Sequence, residues 1–104
     1  MVFIIMIGVD ITSIKRFANR KLNFVKKVLS DEEFIEWEKV ENKDLYIAQR
    51  WAIKEAIFKA NNDYHDYHKI NIIRDEKGVF IFKNFKISTS KENEYVIAFV
   101  MEVS

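Results

Sequence analysis

Two charged residues, Glu55 and Lys59, fall on the apolar side of a segment that has helical periodicity. At about 100° per residue, both lie within roughly 60° of Ala48 and Ala52, on a stripe that we expect to pack against the rest of the protein. A carboxylate in such a place must be paired, hydrogen-bonded or bound to a metal. One interpretation is therefore an i,i+4 ion pair between Glu55 and Lys59, with the alanines serving close packing.

Arg50 and Lys54 belong to the same segment but project from its opposite side. Their positions predict an ordinary solvated strip on the outer face of the helix.

A further carboxylate, Asp10, comes near the end of the apolar run from Val2 to Ile11. Gly8 precedes it and leaves room beside the backbone. This arrangement can present a metal ligand or an acid/base group at the end of a buried strand. The alternative is that Asp10 or Thr12 caps a following helix.

Asp10, Glu55 and Lys59 together suit phosphoryl transfer. Two carboxylates from separate elements can hold a hard cation such as Mg²⁺, and a neighbouring ammonium can hold a phosphate. The sequence has neither a Walker loop nor another glycine-rich phosphate cradle. Any phosphate must then be held by side chains.

The segment from Ser13 to Leu29 has apolar residues at spacings of three and four, which predicts one amphipathic helix or two helices broken near residues 19–23. Its outer face is basic, with no acidic residue. This face is either an ordinary solvated surface or a docking surface for an acidic partner. Its charges are Lys15, Arg16, Arg20, Lys21, Lys26 and Lys27.

The composition favours one domain over residues 1–104, since 104 residues with 49% apolar content suffice for one core. The formal charge of +1 gives no overall field that would indicate a nucleic acid or membrane partner, and we expect neither. The chain has no cysteine, which fits a reducing compartment, and the cytoplasm is the default expectation. The apolar run Val2–Val9 is too short to span a bilayer.

The order of elements predicts an α+β fold with a mainly antiparallel sheet packed with two to three helices. We expect the first strand to be covered on both faces, a capping box at Ser30 and Glu33 to begin a second helix, and a third helix from Leu45 to Ala60. The segment 64–69 is read as a loop, and its two histidines are not expected to bind metal. The remaining strands are predicted at 69–73, 79–82, 85–88 and 95–102, with Gly78 in the first hairpin turn.

Three segments resemble the motifs of the 4′-phosphopantetheinyl transferases. They are IGVDI at residues 7–11, RWAIKEA at 50–56 followed by Lys59 and Ala60, and ISTS at 87–90 before the last strand. Their order and distances are similar to those of the small bacterial branch, the holo-acyl-carrier-protein synthases. The resemblance implies the 4′-phosphopantetheinyl transferase fold and an enzyme that moves phosphopantetheine from coenzyme A to a serine of apo acyl carrier protein, with Mg²⁺ as cofactor.

The resemblance also implies roles for individual residues. Asp10 and Glu55 would be metal ligands, and Lys59 would contact the pyrophosphate and stabilise the leaving group. Glu55, Asp10 or a metal-bound water would be the base, a choice that stays open. The coenzyme contacts would be Arg50, Lys54, Lys59, Ser88, Ser90 and Lys91.

In this family the first helix docks the acidic carrier, which makes Lys15, Arg16, Arg20 and Lys21 the expected contacts, and the small members are homotrimers with sites between subunits. The chain departs from the family pattern at Lys91, which replaces the usual histidine, and at Phe58, where a small residue is usual. These departures keep open a catalytically weakened relative that only binds coenzyme A or the carrier. A small RNA-binding α+β module is the alternative of another class.

Overall fold

The computed structural model describes residues 5–104, and within them the chain forms strands, three α-helices and two short 3₁₀ helices. The strands are β1 (Met6–Ser13), β2 (Ile73–Arg74), β3 (Phe80–Ile81), β4 (Phe85–Glu92) and β5 (Tyr95–Glu102). The α-helices are α1 (Leu22–Val28), α2 (Asp31–Lys39) and α3 (Lys43–Ala60), and the 3₁₀ helices are Ile14–Phe17 and Tyr67–Lys69.

All strand pairs in this part of the chain are antiparallel, which confirms the predicted α+β class. The larger sheet has the order β1-β5-β4, and β2 pairs with β3 in a separate hairpin. Asp10 of β1 stands opposite Ala98 of the central strand β5. The terminal strand therefore holds the motif at residues 7–11 in a fixed register.

Helix α3 packs across one face of the larger sheet. Ala52 and Ala56 of the helix are fully buried, as are Ala98 and Val100 of β5. Gly8 of β1 lies directly against the helix backbone, at a place where a Cβ would stand 1.9 Å from the carbonyl oxygen of Ala56. The small residues thus bring β1 and α3 close together, as the pattern of alanines predicted.

The opposite face of β1 is open in the single chain, so the prediction of a strand covered on both faces is wrong for the described part of β1. Ile7, Val9 and Ile11 are exposed by 54 to 60%. Within residues 5–104, helix α3 packs against the other face of the sheet. Residues 2–4 of the predicted strand lie outside the described residues.

The basic segment forms a 3₁₀ helix and the short helix α1 instead of one long helix, so the break predicted near residues 19–23 is present. Asn19 has a φ of 58°, in the left-handed region that ends a helix. The basic residues therefore lie on two short elements and the turn between them.

Local signals in the middle of the chain are confirmed. Ser30 and Glu33 form the predicted capping box at the start of α2. Gly78 has a φ of 84° in the hairpin turn between β2 and β3. None of the helices in residues 5–104 is long and apolar enough to cross a membrane.

Strand β4 is longer than predicted. It continues to Glu92 and takes in Ser90 and Lys91, which lie beyond the predicted strand 85–88. The tight turn follows directly after Glu92, and Asn93 in this turn has a φ of 54°. Polar residues form a strand here because β5 pairs with them along its whole length.

Candidate active site

Lys59 of α3 and Asp10 of β1 form the centre of the site. The Lys59 ammonium donates to Oδ1 of Asp10 at 3.2 Å and to the carbonyl oxygen of Val9 at 2.9 Å. The lysine side chain is half exposed, whereas only 13% of the Asp10 side chain is exposed. The pair thus stands at the rim of the α3–β1 contact, with its cation accessible from solvent.

Asp10 has the electrostatics of a site that favours a cation. Burial raises the pKa of its carboxyl group above the usual value, Lys59 opposes this shift, and the negative charge of Glu55 adds to it. The Oδ2 atom of Asp10 is buried and has no hydrogen-bond partner in the part of the chain that the structure describes. A buried carboxylate oxygen without a partner is costly, and a bound cation would remove that cost.

These two carboxylates fit Mg²⁺. This ion is usually held by one or two carboxylates, with waters and substrate phosphates as the remaining ligands. Within the described residues, Asp10 supplies one oxygen without a hydrogen-bond partner, and Glu55 lies close enough to influence the Asp10 pKa. No cluster of three or more His, Asp or Glu side chains suitable for a metal occurs in residues 5–104.

The spacing of four allowed an ion pair between Glu55 and Lys59. The Lys59 ammonium, however, is engaged with Asp10. Instead, the Tyr67 hydroxyl donates to Oε1 of Glu55 at 2.6 Å. Burial raises the pKa of Tyr67 far above its usual value, so the hydroxyl keeps its proton and remains a donor. Sequence reasoning missed Tyr67 because a single tyrosine in a loop has no periodicity that indicates where it points.

Lys54 is a buried structural residue, and the prediction of a solvated strip is wrong. Its ammonium has no exposed surface. It donates to Oε1 of Glu33 at 2.5 Å, to the carbonyl oxygen of Val28 at 2.7 Å and to that of Tyr67 at 2.9 Å. Burial lowers the pKa of Lys54 to about 8, and the Glu33 carboxylate opposes this shift. With all three donors used inside the protein, Lys54 presents no group to a nucleotide phosphate.

Arg50 is also buried, with 2% of its surface exposed. Its guanidinium lies over the ring of Tyr46 at 3.8 Å, and its Nε is 3.7 Å from Oε2 of Glu33. The expected coenzyme contacts of Arg50 and Lys54 are thus replaced by protein contacts in this chain. Helix α3 has no solvated strip here because α2 and the segment 67–80 cover its outer side.

Ser88 and Ser90 lie on the face of the sheet that points away from α3. Ser88 stands in register with Phe99 and Val9, two residues on the open face. Ser90 is two residues further along β4 and shares that face. One chain therefore does not bring either serine to Asp10.

Lys91, in contrast, shares the face of Asp10. It pairs with Val96, which pairs with Thr12, two residues beyond Asp10 on the same side of β1. Lys91 is exposed. At about 4.8 Å between neighbouring strands, it lies roughly 10 Å across the sheet from β1. This places an exposed cation on the same side as the candidate site.

The predicted docking residues form a basic surface beside the site. The guanidinium of Arg16 lies over the Trp51 ring at 4.8 Å, and that of Arg20 lies over the Phe24 ring at 4.3 Å. Arg20 also donates to the carbonyl oxygen of Arg16. Stacking on aromatic rings orients both guanidinium groups. It does not neutralise their charge, which stays available to a partner.

The two remaining docking candidates differ. Lys21 is exposed at the N-terminal end of α1. Lys15 is paired with Glu94 at 3.0 Å, so part of its charge is already neutralised.

An open cleft of about 580 Å³ separates α1 from the segment 65–68. Its walls include Phe24, Trp51 and Tyr67, and Lys26 and Lys27 stand at its side. Tyr67 contacts Glu55, and the rings of Trp51 and Phe24 lie under Arg16 and Arg20, so the walls of the cleft contact both the site and the basic surface.

Comparison with known proteins identifies the family of this chain. A family model described as the 4′-phosphopantetheinyl transferase superfamily matches residues 6–100. The holo-[acyl-carrier-protein] synthase of Mycoplasma mobile is 50% identical over 98 residues, covering 93% of this chain and 88% of that protein. The enzyme of the same name from Mycoplasmopsis pulmonis is 47% identical over 100 residues, covering 96% and 92%.

The fold is also similar to that of solved structures. The crystal structure of a holo-(acyl-carrier-protein) synthase from Bacillus anthracis, in complex with CoA (3′,5′-ADP), aligns with a TM-score of 0.84. The alignment covers 99% of both chains at 24% identity, so it concerns the fold alone.

Proposed function

This chain belongs to the 4′-phosphopantetheinyl transferase superfamily, and we propose from that membership that it is a holo-acyl-carrier-protein synthase. It transfers 4′-phosphopantetheine from coenzyme A to a serine of apo acyl carrier protein, giving the holo carrier and adenosine 3′,5′-bisphosphate. The observation that carries the proposal is the meeting of Asp10, Lys59 and Glu55 at the α3–β1 contact, in a chain 50% identical to a named synthase.

We propose Mg²⁺ as the cofactor, held by Asp10 and Glu55. The support is Oδ2 of Asp10, which has no hydrogen-bond partner among residues 5–104, and the raised pKa of its carboxyl group. When bound, the ion supplies Lewis-acid polarisation of the pyrophosphate and neutralises its charge.

Lys59 is the residue that meets the pyrophosphate. Its ammonium is accessible and already oriented by the Val9 carbonyl oxygen. The serine oxygen of the carrier attacks the β-phosphorus, and the bond from that phosphorus to the oxygen of adenosine bisphosphate breaks. Negative charge then builds on the departing oxygen, where Lys59 stabilises it. The serine proton passes to a base of the site. The carboxylates of Asp10 and Glu55 are the candidates for this base among the described residues.

The carrier docks on the basic surface formed by Arg16, Arg20 and Lys21, with Lys15 as a weaker contributor. Complementary charge increases the association rate and sets the orientation of an acidic partner. The surface borders the cleft that leads to Tyr67 and Glu55. A carrier seated there has its serine directed toward the site.

We further propose that the protein is a homotrimer, with coenzyme A bound between subunits. The support is the open face of the sheet, where Ile7, Val9, Ile11 and Phe99 are all exposed by 39% or more. Apolar faces of this kind mark interaction sites. Ser88 and Ser90 lie on that face, away from their own chain's Asp10. A neighbouring subunit would bring these serines into coenzyme contact, whereas Lys91 lies on the same face as its own chain's Asp10. We also propose that the chain forms one domain and that the protein is located in the cytoplasm.

The test incubates the protein with Mg²⁺, coenzyme A and an apo carrier protein and measures the carrier by mass spectrometry. We expect a mass gain of one phosphopantetheine that requires all three components. No gain with any of several carriers would refute the enzyme proposal. Sedimentation of the wild type and of Val9→Glu tests assembly separately, and we expect the variant to dissociate.

A further inference from the structure

The 3₁₀ helix Tyr67–Lys69 contacts Glu55, the buried Lys54 and the end of helix α1. The Tyr67 hydroxyl reaches Glu55, and the Tyr67 carbonyl oxygen accepts from the buried Lys54 ammonium. The next residue, His68, contacts the carbonyl oxygens of Lys26 and Leu29 through Nδ1, at 2.9 Å each. This short segment is therefore joined both to α3 and to the end of the basic helix α1.

The Tyr67 ring itself has little freedom. It meets the Trp51 ring edge to face, with centroids 5.7 Å apart and planes at 77°. Lys54 holds the backbone of the same residue at 2.9 Å, and that ammonium is fixed in turn by Glu33. A tyrosine held at its backbone and its ring presents its hydroxyl in one direction, and that direction is toward Oε1 of Glu55.

We propose that Tyr67 is a positioning residue for Glu55, which fixes the rotamer of that carboxylate so that Oε2 is available to the divalent cation. The inference rests on the proposed function, because it assigns Glu55 the metal role given there. Hydrogen bonds to a ligating carboxylate orient it and commonly change metal affinity or activity by about 10- to 100-fold.

This assignment gives the buried pair of Lys54 and Glu33 a role in positioning Tyr67. Its charges lie next to the site yet face away from solvent. Lys54 precedes Glu55 in the chain, so one turn of α3 supplies both the carboxylate and the cation that anchors the tyrosine holding that carboxylate. Lys54 and Tyr67, which contact no substrate, thereby set the geometry of Glu55, which acts in the site.

Tyr64 provides a matched control on the same connecting segment. Its ring packs edge to face against Phe82 and Phe85, at centroid distances of 5.4 and 5.6 Å. Its hydroxyl makes no hydrogen bond to another residue in the described range. Tyr64→Phe and Tyr67→Phe therefore remove the same atom from two half-buried tyrosines, and only the second removes a contact with the site.

The experiment measures Mn²⁺ binding to the full chain in the presence of coenzyme A and without any carrier, by the electron paramagnetic resonance signal of the free ion. We expect Tyr67→Phe to weaken Mn²⁺ binding by about 10-fold. Tyr64→Phe should bind Mn²⁺ like the wild type. In the transfer reaction, Tyr67→Phe should raise the Mg²⁺ concentration needed for half-maximal rate and leave KM for the carrier unchanged.

Three results are decisive. If Tyr67→Phe binds Mn²⁺ as tightly as the wild type does, and the wild-type protein transfers phosphopantetheine, the role of Tyr67 is overturned and the proposed function stands. Equal weakening in both variants assigns the effect to packing and likewise overturns it. A wild-type protein that neither binds Mn²⁺ nor transfers phosphopantetheine refutes the proposed function, and the role of Tyr67 with it.

Discussion

Gly8 and Ala56 touch backbone to backbone, since a Cβ on Gly8 would stand 1.9 Å from the Ala56 carbonyl oxygen. Ala56 follows Glu55 in the chain, and Gly8 precedes Asp10 by two residues on the same face of β1. The closest approach of strand and helix therefore lies beside the residues that form the site. A glycine here sets the distance between two carboxylates.

Gly8→Ala should separate β1 from α3. The added methyl group meets rigid backbone, so we expect a loss of about 1 to 3 kcal/mol in the free energy of unfolding, as for other overpacked sites. Because the carboxylates move apart, activity per folded molecule should fall by about 100-fold. Urea denaturation and the transfer assay measure the two effects. The control is Gly78→Ala, which strains a turn with a φ of 84° and should cost stability without changing the activity of the folded protein.

Lys54→Met should be strongly destabilising, by about 3 to 5 kcal/mol, because it leaves Glu33 buried without its ammonium partner. Adding Glu33→Gln should recover part of the loss, since the remaining charge is then removed. Chemical denaturation of both variants provides the measurement. A loss no larger than that of Lys27→Met, an exposed lysine in α1, would contradict the buried pair.

Glu55→Gln should remove at least about two orders of magnitude from the transfer rate while preserving the fold. The amide keeps the size of the side chain and can still accept from Tyr67, so the circular dichroism spectrum and thermal midpoint should match the wild type. Activity at wild-type metal dependence would show that Glu55 is not a ligand. Gln49→Glu, a substitution two turns earlier on α3, is the control for changes in charge.

Reversal of Arg16 and Arg20 to Glu should raise KM for the carrier by about 10-fold or more and change KM for coenzyme A little. Both side chains belong to the basic surface, where the aromatic rings hold them in place. The same reversals at Lys39 and Lys77, which are exposed elsewhere, should have little effect. An equal rise in both KM values would remove the docking role.

His68 should make stability depend on pH. The carbonyl oxygens of Leu29 and Lys26 raise the pKa of the imidazole above its usual value, and Asp31 contributes further. The folded state thus binds the proton more tightly than the unfolded state does. The resulting stabilisation is complete below the unfolded pKa of about 6.5 and is lost as pH rises through the raised pKa.

The difference in thermal midpoint between wild type and His68→Gln, measured from about pH 5 to about pH 9, should shrink as the pH rises. His65→Gln is the control, because His65 is also exposed and lies on the same segment. A difference that is constant with pH would contradict the assignment.

Much of this fold could be predicted because its signals are local. The capping box of Ser30 and Glu33 and the left-handed glycine at position 78 each depend on residues a few positions apart. The spacing of the three motifs likewise identified Asp10, Glu55 and Lys59, which the structure places around the same strand–helix contact. A periodic pattern fixes the angle at which each side chain leaves its element.

The sequence alone therefore determined the class of fold and indicated the residues of the candidate site, while the tertiary structure decided what covers each face. Lys54 is on the predicted side of α3, but other elements pack over it and convert a surface charge into a buried ion pair. Tyr67 reaches Glu55 across 12 residues of chain, a contact without local pattern. The face of β1 with Val9 is apolar but uncovered, since periodicity gives direction and only long-range packing decides burial.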